Sequence, residues 1–209
     1  MKDKPSILLF IKVPPPTTGA TLMNKRVYDS RLLQKHFCIR SICISYSENL
    51  LQMGHLSLKK ILKIKLVFLS LLKELLFHKP NFIYFQISPL QLGFYRDLLF
   101  VLLIKLFKTK IVYHIHVKGI SEHCANQPWK RKIYKCVFKG EDIICLSHFL
   151  TYDVKDFFQG KIHIVNNGIP DIDEVYRRKR KDSSCNETRI VFCNRKMTPL
   201  CNRNLTHLS

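Results

Sequence analysis

Two histidines stand one residue apart in Tyr113-His114-Ile115-His116-Val117-Lys118-Gly119. Alternation along an extended segment turns both imidazoles to one face. An imidazole at a strand end can hydrogen-bond a sugar hydroxyl or a phosphate oxygen, and it titrates near neutral pH. His-x-His on one strand supplies only two of the ligands a metal site needs, so no metal is expected. His116 is the candidate for catalysis because the Lys118-Gly119 loop follows it directly and would lift it into a crevice. His114, deeper in the run, reads as an internal histidine satisfied by its neighbours.

A second candidate follows the first apolar run, in Pro14-Pro15-Pro16-Thr17-Thr18-Gly19. Gly19 lets backbone approach a ligand closely. A helix beginning here would offer unpaired N–H groups to an anion, with Lys25 and Arg26 near its start. A Pro/Gly turn with Thr17 or Thr18 as helix cap accounts for the same residues equally well. The pattern is not G-x-G-x-x-G, so the dinucleotide fingerprint is absent and no cofactor is expected. Ser147 reads as the cap of a later helix. Asn167-Gly168 reads as a tight turn needing positive φ, a hinge without chemistry of its own.

The elements that must position these residues are legible as alternating patterns. Apolar runs of strand length occupy residues 7–13, 38–45, 82–88, 111–117, 142–147 and 162–165. Helical patterns fall between them at 22–35, 56–77, 92–107, 129–139 and 148–158. Strict alternation implies βαβ units and a parallel sheet with helices on both faces. The expected fold class is α/β, a Rossmann-like doubly wound domain over residues 1–170. In such a sheet, ligands bind beyond the carboxyl ends of the strands, where both candidate loops would lie.

Composition narrows the partners. The 209 residues carry a formal charge of +20, which favours polyanions: nucleic acid, phosphorylated small molecules or an anionic membrane. The 8 cysteines include no C-x-x-C, and Cys38, Cys43, Cys136 and Cys145 lie in or beside apolar runs, so buried free thiols in a reducing cytoplasm are expected. The opening residues do not have the form of a secretory signal. The longest uncharged apolar run, residues 98–104, is far short of the ~20 residues that span a bilayer.

Four stretches, in order, resemble the N-terminal half of a bacterial family 4 glycosyltransferase of the GT-B fold. They are PPPTTGATLMNKRV, VYHIHVKGI, IICLSHFLTYDV and KIHIVNNGIPD, spread over about 170 residues. The resemblance implies two Rossmann-like domains across a cleft, the first binding a sugar or lipid-linked acceptor and the second most of a nucleotide-sugar donor. It implies sugar transfer with retention of configuration, usually without a metal. Carried onto this chain, His116 matches the strand-end histidine that contacts the donor sugar, and the Thr18-Gly19 loop lies against donor phosphate and acceptor. Lys118 and Gly119 belong to the loop after that histidine, and Asn167-Gly168 matches the entry to an interdomain linker. Lys25 and Arg26 rest on charge alone.

The linker is expected over residues 171–187, and Thr188-Arg189-Ile190-Val191-Phe192-Cys193-Asn194 resembles the first strand of the donor-binding domain. The resemblance then ends. The family continues with a glycine-bearing loop, a basic residue for the diphosphate and a pair of glutamates at a spacing that no two glutamates here share. A chain cut short, through a frameshift near Phe192, is the expectation, with residues 188–209 a remnant or an out-of-frame tail. A single-domain protein is the alternative. The chain alone is then expected not to transfer sugar.

Lys59, Lys60 and Lys63 open a very apolar helix, and Lys105, Lys108 and Lys110 follow another. These fit an anionic membrane surface, on the cytoplasmic side of the plasma membrane, or equally helices packed on the sheet with lysine stems reaching water. The rival class is a non-catalytic basic module, either an acceptor-binding subunit or a nucleic-acid binder. No nucleic-acid motif is visible, so nucleic acid is not the expected partner.

Overall fold

A computed structural model describes residues 4–44, 57–125 and 127–168, with 192–193 and 196–197. Two compact units divide the chain, Met1–Gly168 and Ile169–Ser209. The first begins with β1 (Ser6–Ile11), α1 (Gly19–Tyr28), α2 (Arg31–His36), β2 (Cys38–Cys43), α3 (Leu58–Phe77) and β3 (Phe82–Phe85). It continues with α4 (Gln91–Leu106), β4 (Lys110–Ile115), α5 (Ile120–Cys124), α6 (Pro128–Phe138), β5 (Asp142–Cys145), α7 (His148–Val154) and β6 (Ile162–Ile164). All six strands are parallel, in the order β2-β1-β3-β4-β5-β6. The α/β, Rossmann-like, doubly wound architecture expected from the alternation is the architecture found.

The central strands are apolar on both sides because both sides are covered. Leu8, Phe10, Ile83, Phe85, Tyr113 and Ile143 join one core with residues of α3, α4, α6 and α7. Ile7, Leu9, Ile11 and Tyr84 form a second core, packed by Val27 of α1 and by Phe37. Within the first, the rings of Phe94 and Tyr134 stack at 4.0 Å and lock α4 to α6.

The helix expected over 22–35 is two helices. Ser30 accepts a hydrogen bond from the Leu33 N–H at 3.4 Å and restarts the chain after Asp29. α5 had no counterpart in the sequence reading, being too short to show a period.

Cys124 and Cys145 are buried free thiols. Cys38, Cys43 and Cys136, by contrast, are exposed, against expectation. Cys38 and Cys43 belong to edge strand β2, which has one neighbour and is mostly open to solvent.

In the second unit, Phe192–Cys193 (β7) pairs antiparallel with Lys196–Met197 (β8). The linker over 171–187 and the rest of the tail lie outside the described residues.

Candidate functional site

The order β2-β1-β3 means that chain connections leave β1 and β3 in opposite directions. In open α/β sheets the crevice at such a switch point is where ligands bind. The two strand ends here are tied together by a buried side chain: Asn24 of α1 donates to the Lys12 carbonyl at 2.7 Å and to Gln86 Oε1 at 2.5 Å.

Around that crest lies a polar cluster built from residues far apart in sequence. The Lys12 ammonium donates to Ser88 Oγ. Arg96 reaches the same oxygen at 3.1 Å and pairs with Asp97, its Nε donating at 2.7 Å. Asp97 is fully enclosed and also accepts from the Ser88 N–H at 2.7 Å. Burial pulls the Lys12 pKa from 10.5 down to about 8, opposed by attraction to Asp97 and reinforced by repulsion from Arg96. A lysine that close to neutrality can give up its proton or hold an anion, depending on what occupies the crevice.

His114 and His116 sit beside this cluster on the end of β4, their rings 4.0 Å apart. Desolvation, with repulsion from His116, lowers the His114 pKa to about 3. Desolvation, with repulsion from Lys12, lowers that of His116 to about 4. Both are neutral imidazoles at physiological pH. Tyr84 hydrogen-bonds His114 Nδ1, and burial raises the phenol pKa, so the hydroxyl stays protonated. His114 Nε2, His116 Nε2 and Asn24 Oδ1 are all buried without a hydrogen-bond partner. Buried polar atoms are rarely left so, and three at one strand edge mark a place shaped for a polar ligand. His114 is thus not the fully satisfied internal histidine that the sequence suggested.

The loop after β1 brings Thr18 and Gly19 to the same carboxyl edge. Thr18, not Thr17, is the cap: its Oγ1 accepts from the Thr21 N–H at 3.2 Å, and Thr21 Oγ1 accepts from the Thr18 N–H at 2.8 Å. Gly19 opens α1, and a Cβ there would meet nothing within 4 Å, leaving room for a ligand against the backbone.

Lys25 and Arg26 are not at the start of that helix. They lie in its last turn, because α1 begins three residues earlier than expected and ends at Tyr28. Lys25 pairs with Asp29 at 2.9 Å, and Arg26 donates to the Gly168 carbonyl. Neither cation is spent on the N-terminal anion position.

Gly119 does adopt a left-handed conformation, with φ 117, at the cap of α5. The N–H groups of Gly119, Ile120 and Ser121 donate to the Asp153 carboxylate at 2.8, 2.9 and 2.9 Å. An internal anion therefore already fills that helix start, and Lys118 is an exposed residue of the connecting loop. Ser147 stands at the cap position of α7 but makes no side-chain cap bond. Neither Asn167 nor Gly168 has the positive φ expected of a tight turn.

Sequence reasoning missed Lys12, Asn24, Gln86, Ser88, Arg96 and Asp97. The polar Lys12 and Ser88 near the ends of two apolar runs were the available signal. A separate shallow groove of about 730 Å³ lies between β2 and the end of α3. Its carboxylate is taken internally, Arg40 binding Glu74 through two bonds of 2.6 and 2.8 Å, and it lacks the orphaned groups of the crest.

No protein family model, curated protein or solved structure matches the chain.

Proposed function

We propose that Met1–Gly168 is the acceptor-side domain of a retaining, nucleotide-sugar-dependent glycosyltransferase. The observation that carries the reading is the crest at the switch point, where His116 Nε2 is buried, unpartnered and neutral beside Lys12. A neutral imidazole there can accept from, or donate to, a sugar hydroxyl and fix the ring near the reacting carbon. Asn24 Oδ1 offers an acceptor for a second hydroxyl. Thr18 and Gly19 bound the crevice on the α1 side.

Stabilisation of the departing diphosphate is commonly the largest catalytic contribution in such a transfer. On this reading it comes from a donor-binding domain, outside the single Rossmann-like unit described. On this reading the unit Met1–Gly168 by itself does not transfer sugar, and it takes part in turnover only together with a donor-binding domain. The test is sugar transfer from a panel of nucleotide sugars to saccharide and lipid-linked acceptors. Transfer by the chain alone would overturn the division of labour. Full activity of His116→Ala in a complete enzyme would overturn the role of that residue.

The same reading places the domain on the cytoplasmic face of an anionic membrane. Among the described residues no helix is long and apolar enough to cross one. α3 instead exposes Leu62, Leu66 and Leu69, and α4 exposes Leu99, Leu102 and Leu106. Exposed Lys59, Lys63 and Lys65 accompany these leucines on α3. Apolar side chains beside lysines suit the headgroup boundary of an anionic bilayer, which would bring a lipid-linked acceptor to the domain. A second copy of a chain with charge +20 would be repelled from the same face.

A further inference from the structure

We propose that the crest between the ends of β1 and β3 binds a phosphoryl group, held by Lys12 together with Arg96, Ser88 and the paired histidines. This deepens the glycosyltransferase reading by naming the chemistry of what enters the site, but its own evidence is independent of sugar transfer.

The first observation concerns the Lys12 ammonium. Lys12 and Arg96 converge on one hydroxyl, Ser88 Oγ, and the enclosed Asp97 carboxylate pairs with Arg96. Asp97 is engaged by the Arg96 guanidinium at 2.6 Å and by the Ser88 N–H. Among the described residues no carboxylate comes within ion-pair distance of the Lys12 ammonium. The Lys12 ammonium is thus held in a partly desolvated place without a directly paired carboxylate. A desolvated charge of that kind is costly, and a bound anion relieves it.

The second observation is a surplus of hydrogen-bonding capacity. Tyr84 takes Nδ1 of His114, and the Nε2 on the other side of the ring is buried without a partner. His116 Nε2, in a ring 4.0 Å from it and tilted, is equally without a partner. His114 is only 5% exposed, so water cannot readily satisfy it from outside. A tetrahedral phosphoryl group presents several strong acceptor oxygens, enough for an ammonium, a guanidinium and an imidazole N–H together. A carboxylate has only two oxygens and a planar form, a poorer match to donors arriving from three strand ends.

This place is distinct from the start of α5, where Asp153 already occupies the N–H groups, and from Lys25 and Arg26, which are engaged elsewhere. The phosphoryl group could belong to the acceptor or to the nucleotide-sugar donor, and the probes separate these sources.

The experiment is titration of the 209-residue chain, labelled at histidine, with inorganic phosphate, glucose 1-phosphate and UDP, followed by NMR and calorimetry. Saturable binding should perturb the His114 and His116 imidazole signals. Lys12→Met should weaken it at least tenfold, as expected for loss of one charge-assisted bond. Lys25→Met, which changes an exposed ion pair at the far end of α1, should leave it unchanged. Tighter binding of glucose 1-phosphate than UDP assigns the group to the acceptor, and the reverse assigns it to the donor; either supports the site. No saturable binding, binding that survives Lys12→Met, or equal loss in Lys25→Met would overturn it. Should Lys12→Met fail to fold, the wild-type histidine signals still decide, since phosphate that leaves them unmoved is not bound at the crest. Phosphate binding without sugar transfer in any complete enzyme would leave this site standing and remove the glycosyltransferase reading.

Discussion

Replacing Lys12 with Met should make the protein more stable while removing its anion site. The Lys12 pKa falls from 10.5 to about 8, chiefly through burial. At 1.36 kcal/mol per pKa unit, keeping that ammonium charged inside the fold costs about 3 kcal/mol at pH 7. Loss of the Ser88 contact gives back about 1 kcal/mol. The expected net gain is about 2 kcal/mol, equivalent to about 4–8 °C in Tm for a chain of this size. The sign of its pH dependence follows from linkage. Between pH 8 and 10.5 the unfolded lysine holds a proton that the folded one has lost, so wild-type stability rises with pH. By pH 10 the remaining penalty is about 1 kcal/mol, which the lost contact cancels, so the advantage of Lys12→Met should vanish. In the same variant the His116 pKa should rise, because repulsion from Lys12 is one of its depressing causes. Thermal melts at pH 7 and pH 10, with histidine titration by NMR, check both. A variant less stable than wild type at pH 7, or an advantage that ignores pH, would refute the desolvated-ammonium argument.

Other perturbations test other parts of the fold. His114, with a pKa of about 3, stays neutral in the fold while its unfolded counterpart charges below pH 6.5; it should account for about 2 kcal/mol of the stability lost by pH 5, with a similar share from His116, so His114→Phe should roughly halve that limb in urea titrations at several pH values. Asp153→Ala removes the acceptor of three N–H groups and should cost about 3–5 kcal/mol by chemical denaturation, with hydrogen exchange rising first at Gly119, Ile120 and Ser121. Gly160→Ala would set a Cβ 2.3 Å from the Glu141 carbonyl and should be among the most damaging glycine substitutions, whereas Gly19→Ala meets open space and should leave Tm unchanged. Leu66→Glu with Leu102→Glu should abolish flotation with anionic vesicles and spare thermal stability, since both side chains are more than half exposed.

The strands were readable because each carries a short, dense apolar run that a two-sided parallel sheet requires. Residues 7–13 and 111–117 predicted β1 and β4 to within about two residues. α5 escaped notice because five residues give no helical period, and its start is fixed by Asp153, some thirty positions later. The exposure of Cys38 and Cys43 depended on which strand became the edge, and strand order is not written in local pattern.

The candidate site was legible only in part, through His116 and the Gly19 loop. Lys12 sits near the end of an apolar run, with nothing local to mark it. Its meaning comes from Ser88, 76 positions away, and from Asp97 beyond it. The reverse error, locating Lys25 and Arg26 at a helix start, came from setting the first helix turn at Leu22 instead of Gly19.

The central claim, that this crest receives a saccharide acceptor, is tested most directly by histidine-detected NMR with a ligand panel. The panel comprises neutral saccharides, sugar 1-phosphates, polyprenyl-phosphate-linked saccharides and short nucleic acids. The account predicts saturable shifts of His114 and His116 with phosphorylated or lipid-linked saccharides, lost in Lys12→Met and insensitive to nucleic acid. Unmoved histidine signals throughout the saccharide panel, alongside salt-sensitive shifts with nucleic acid, would contradict it.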